Sequence, residues 1–182
     1  MSYENGKKLT LGGFALFALI AAFNLVYFLL SYTLDFYSGL INDLRDWGAL
    51  LAMVAVAGGY AMMWLTEKKN TDALAAGATG FFVILTFAGW LDLISINSNT
   101  EYFIITALMM AFYPVLALRA KEKNVMLAAA LAGAYVFEIF AMIILEILAY
   151  DIGLPYFLVY LFMYTIRLVG PAACFLIAKN EQ

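Results

Sequence analysis

Histidine is absent from the chain and cysteine occurs once, at Cys174. Haem and copper centres, zinc hydrolases and Ser-His-Asp triads therefore lack a side chain they normally require. A single cysteine excludes an intrachain disulfide and a cluster held by several thiolates. Charge is scarce as well, at 13% of residues against about 25% in an average soluble domain. No lysine falls within a long apolar run, which argues against a Schiff base of the rhodopsin type. The paired aspartates of prenyltransferases and CDP-alcohol phosphotransferases are missing, and so is the Gly-x-Gly-Asp of intramembrane aspartyl proteases. Carboxylates, an arginine, tyrosines, amides and the backbone are left to carry any chemistry. That set favours ion or proton handling, ligand binding or scaffolding over redox work; no cofactor and no metal is expected.

Apolar residues make up 66% of the chain and recur in runs along its whole length. The expected fold is an all-α integral membrane protein, a six-transmembrane-helix bundle forming one polytopic domain over residues 1–182. The expected spans cover residues 9–34, 48–65, 73–96, 102–118, 125–149 and 154–178. Most are long enough for a hydrocarbon core of about 30 Å at about 1.5 Å per residue, although the fourth is short. The first apolar run ends in Ser31-Tyr32-Thr33-Leu34-Asp35 without a small-x-small cleavage site, so it reads as a retained span rather than a signal peptide.

Cations set the orientation. Lys7, Lys8, Lys68, Lys69, Arg119, Lys121, Lys123 and Lys179 all fall on one side of a six-span chain. The positive-inside rule makes that side cytoplasmic, with N and C termini inside and the cell membrane as the location. Asp35, Asp43, Asp46, Glu101 and Asp151 populate the opposite loops, which suits either simple exclusion of cations or an acidic vestibule. Leu40, Ile41 and Leu44, between Tyr37 and Trp47, suggest a short interfacial helix in the first acidic loop. The expected partners are the lipid bilayer and, beyond it, other membrane subunits or further copies of the chain in a homo-oligomer. Nucleic acid is not expected as a partner.

Small residues four apart let helices approach closely in lipid. Ala55 with Gly59, Ala73 with Gly77, Ala76 with Gly80 and Ala129 with Gly133 have this spacing, which marks the second, third and fifth spans as tightly packed.

Polar residues inside the spans carry the functional signal. Glu138 and Arg167 each lie near the middle of an apolar segment, and the short link after Ala149 makes those segments antiparallel neighbours. A charge at mid-depth costs about 2.5–3.5 kcal/mol on insertion scales, so it faces a partner or a wet cavity. Opposite sign and equal depth predict a Glu138–Arg167 pair, for which a guanidinium is well shaped. Pro171, four residues after Arg167, withholds the N–H that the Arg167 carbonyl would accept, and Gly170 loosens the backbone beside it. Pro114 is expected to free the carbonyl of Met110 in the same way. Glu146 lies about 12 Å beyond Glu138 along the helix and could share one path with it. Tyr135 and Tyr150 are each one turn from a carboxylate, Asp92 is placed to join Glu146, and Asn24 and Tyr164 are further interior polar candidates.

Two functions fit these residues. One is a small transporter, channel or ligand-binding membrane subunit with a midplane site at Glu138, Arg167, Glu146, Asp92, Asn24, Tyr135 and Tyr164, hinged at Gly170, Pro171 and Pro114. Its length and six-span layout are similar to those of the small substrate-binding membrane subunits of vitamin importers, in architecture alone. The other is a non-catalytic accessory or structural subunit of a larger membrane complex, in which the charged pair clamps two helices. An enzyme is the weaker possibility.

Overall fold

A computed structural model describes residues 2–94 and 98–181. All its regular structure is helical: α1 (Tyr3–Leu34), α2 (Gly39–Glu67), α3 (Asn70–Trp90), α4 (Asn99–Met109), α5 (Phe112–Ala120), α6 (Val125–Glu146), a π-helical turn (Ile147–Asp151), α7 (Tyr156–Arg167) and α8 (Val169–Asn180). Side chains that compete for backbone hydrogens set several starts. Ser2, Ser38, Ser98 and Asn124 accept the N–H three residues ahead, at 3.1–3.4 Å. Asp35 and Lys68 end α1 and α2 in the left-handed conformation, at φ 49° and 57°.

The chain is an all-α, multi-pass membrane protein. Among the described residues, five helical segments are long and apolar enough to cross a bilayer: α1, α2, α3, α6 with its π turn, and α7 continued by α8. The pair α4 and α5 makes a sixth if counted together, with a bend of 42° between its pieces.

Several boundaries differ from the sequence expectation. The expected interfacial helix near residues 40–44 is the first part of α2, which runs on without a break. The third span stops at Trp90 rather than 96; residues 95 and 96 of that expectation lie outside the described residues. The fourth breaks at Met110 and Ala111, and the last breaks at Leu168, three residues ahead of Pro171. At the Pro114 break the carbonyl of Met110 is not free. It accepts the N–H of Tyr113 at 3.0 Å, because the chain tightens into a shorter turn where proline denies it the usual donor.

Packing is uneven along the bundle axis. The end carrying most of the lysines, hereafter the cationic end, holds a continuous core of Phe14, Val56, Tyr60, Leu116, Leu131 and Cys174, all fully buried. Towards the other end the described core shrinks to Ala141, Val159 and Met163. The tightest seam joins α1 to α2. A Cβ on Gly59 would lie 2.7 Å from the Gly6 carbonyl oxygen, and one on Gly13 would lie 2.7 Å from that of Ala52. Backbone contact of this kind holds helices together in lipid, where apolar burial alone gives no preference for a neighbour over a lipid tail. Gly77, Gly80 and Gly133 have open space where a Cβ would go. The small-residue spacing on α3 and α6 therefore does not mark a close seam within the chain, contrary to expectation.

Candidate functional site

Where the deep core ends, a cavity of about 290 Å³ opens between α1, α2, the α4–α5 break, α6 and the α7–α8 break. Its polar lining consists of Asn24, Tyr113, Glu138, Tyr164 and Arg167; Phe17, Ile20, Met110 and Pro171 are among its apolar walls. Local sequence explains the meeting. α6 and α7 are joined by the π turn and a short link, so they return alongside each other and bring Glu138 opposite Arg167. Arg167 donates from Nε to Oε2 of Glu138 at 3.1 Å. The glutamate side chain is 12% exposed and the arginine 40%, so the pair borders the cavity instead of being sealed by packing.

Asn24 reaches the same space from α1, and its Oδ1 is buried without a hydrogen-bond partner among the described residues. Tyr164 stacks on Phe28 at 5.1 Å between ring centres, within an aromatic seam that includes Tyr32, Phe157 and Tyr160 and joins α1 to α7. Tyr113 lies under the α8 backbone so closely that a Cβ on Gly170 would overlap its ring. Gly170 thus admits the tyrosine as well as loosening the helix. Sequence reasoning missed Tyr113; its position just past the break, beside Pro114, was the available signal.

Other candidates do not converge there. The Tyr135 hydroxyl donates to the carbonyl of Ala107 at 3.3 Å, away from Glu138, and ties α6 to α4. Glu146 borders another cavity of about 250 Å³ with Asn99, Tyr102 and Tyr150. Asp92 lines neither cavity. It sits past the end of α3 in the left-handed region, exposed, with its N–H on the Gly89 carbonyl at 3.1 Å. Pro114 and Pro171 both stand next to helix breaks, and Pro171 lines the larger cavity.

A second polar cluster was not anticipated. At the cationic end Arg119 of α5 bonds Asp72 of α3 through Nη1 and Glu181, just after α8, through Nε, the latter at 2.6 Å. Its guanidinium also lies over the Tyr60 ring of α2, 5.2 Å from the centroid. Asp72 is fully buried, and its second oxygen has no partner among the described residues. Arg119 thus joins four helical segments. Nearby, Lys69 bonds Glu67 and lies over Tyr3, and the glutamate pushes its ammonium up from the usual lysine value. The sequence offered only weak signals for the cluster, namely an aspartate in the first turn of α3 and an arginine on the last turn of α5.

No protein-family model, curated protein or solved structure matches this chain.

Proposed function

We propose that the chain is a small solute-binding transporter of the cell membrane, with six spans, cytoplasmic termini and its binding site in the Glu138–Arg167 cavity. One observation carries this reading: an intramembrane ion pair stands at the edge of a cavity rather than inside packed core. An arginine with 40% of its side chain uncovered at that depth needs water or a polar ligand, since lipid satisfies none of its N–H groups. Phe14, Leu116 and Cys174 fill the bundle towards the cationic end, which supports entry from the opposite, acidic side. The breaks at Met110–Ala111 and Leu168 flank it, where transporters commonly interrupt helices. In an accessory subunit the same pair would clamp α6 to α7; the direct 3.1 Å contact favours this second reading.

Cysteine labelling in intact cells tests the cavity. Asn24→Cys and Tyr164→Cys should react with a membrane-impermeant methanethiosulfonate ammonium reagent added outside. The unaltered chain serves as the blank, because its only cysteine is buried. Protection of both positions in a folded protein would leave the clamp as the function of the pair.

A further inference from the structure

We infer that the cavity's ligand is a small zwitterion of the α-amino-acid kind with an apolar or aromatic side chain, an assignment that rests on the solute-binding reading above. Charge comes first. Glu138 and Arg167 cancel, so a ligand with net charge would add an unbalanced ion within the membrane, whereas a zwitterion adds none. Hydrogen-bonding capacity comes second. Arg167 commits Nε to Oε2 of Glu138, and its two terminal nitrogens take no other side-chain acceptor among the described residues. Their N–H groups form the planar fork that a carboxylate accepts. On the acceptor side, Oε1 of Glu138 makes no bond among the described residues, and Oδ1 of Asn24, covered and without a donor among them, becomes a second acceptor when the side chain turns towards the ligand. An ammonium carries three donors and no acceptor, which suits a neighbourhood of two such oxygens.

A wholly neutral apolar ligand would leave both sets unpaired in a region short of water, and a lone amine or a lone carboxylate would leave one of them so. Size comes third. At about 290 Å³ the cavity is at the bottom of the about 300–1,000 Å³ range of small-molecule sites, which suits an amino acid and not a nucleotide. Phe17, Ile20, Met110 and Pro171 supply the apolar surface for its side chain.

The test is calorimetric titration of the full chain in lipid nanodiscs with phenylalanine, 3-phenylpropanoate and 2-phenylethylamine. Phenylalanine should bind at least about tenfold more tightly than either half-molecule, the size expected of one hydrogen bond to a charged group. Asn24→Leu, which leaves the ion pair in place, should weaken phenylalanine and 2-phenylethylamine while leaving 3-phenylpropanoate unchanged. A half-molecule that binds as tightly as phenylalanine overturns the zwitterion, and so does the absence of binding by all three. If none binds and Asn24→Cys is labelled from water, the ligand class is wrong and the cavity stands. If none binds and Asn24→Cys is protected, the solute-binding reading fails with it.

Discussion

Replacing Arg119 by methionine should be among the most damaging single changes available to this chain. Among the described residues Arg119 is the only cation bonded to Asp72, whose side chain is fully buried, and its own side chain is only 15% exposed. Methionine keeps much of the stem but loses the guanidinium over Tyr60 and leaves the aspartate without a counter-charge. Removing one partner of a buried pair costs about 3–5 kcal/mol, chiefly because the other charge stays desolvated. At about 2–4 °C per kcal/mol for a chain of this size, the melting midpoint in detergent should fall by about 6–20 °C. Asp72→Asn should cost less, because Arg119 keeps Glu181. The double variant Asp72→Asn with Arg119→Met should be more stable than Arg119→Met alone. Circular dichroism at 222 nm, followed on heating in one detergent, reads all three. An Arg119→Met midpoint within about 2 °C of the unaltered chain would refute the argument, since it would mean that the aspartate finds water or neutralises itself at little cost.

The glycines give a contrast on a single measurement. Gly59→Ala should destabilise the fold because its methyl meets the Gly6 carbonyl 2.7 Å away, whereas Gly77→Ala and Gly133→Ala meet nothing and should be neutral or stabilising by up to about 1 kcal/mol. Equal melting midpoints for Gly59→Ala and Gly77→Ala would remove the α1–α2 seam from the account. For the cavity pair, Glu138→Arg or Arg167→Glu alone should cost about 1–3 kcal/mol, with most of it recovered when both are combined. Two stable singles with an unstable double would sink the idea that contact between these side chains matters to the fold.

Much of the helical layout was legible because apolar runs of span length leave few alternatives. The Glu138–Arg167 contact was legible for a geometric reason: a short link fixes the neighbour, and the rise per residue fixes the depth. Asn24 and Tyr164 could be named as interior candidates from their place within apolar runs, but not positioned. What resisted was rotation about each helix axis. Tyr135 is one turn from Glu138 in sequence yet bonds Ala107 on α4, because another helix supplied an acceptor first. Gly77 and Gly133 have the spacing of packing residues and face open space, since spacing does not say which side of a helix meets a neighbour. Arg119 was hidden by a good rule. Cations at helix ends are expected for topological reasons alone, so nothing distinguished one that organises the core from the lysines around it.

The bend between α4 and α5 also bears on how that segment is held. At about 1.5 Å per residue, 11 and 9 residues give pieces of about 16 and 14 Å, each about half a bilayer core. Neither piece spans the core alone, and at the break the Ala111 N–H turns to the Leu108 carbonyl at 3.3 Å, which takes from Ala107 its usual helical donor. Part of the remedy comes from outside: the Tyr135 hydroxyl of α6 reaches the Ala107 carbonyl near the break. That tyrosine lies 28 residues further along the chain, on a helix separated from this segment by its own turn. The broken segment therefore depends on α6 for a hydrogen bond that it cannot supply itself, and a change that shifts α6 should loosen the break as well.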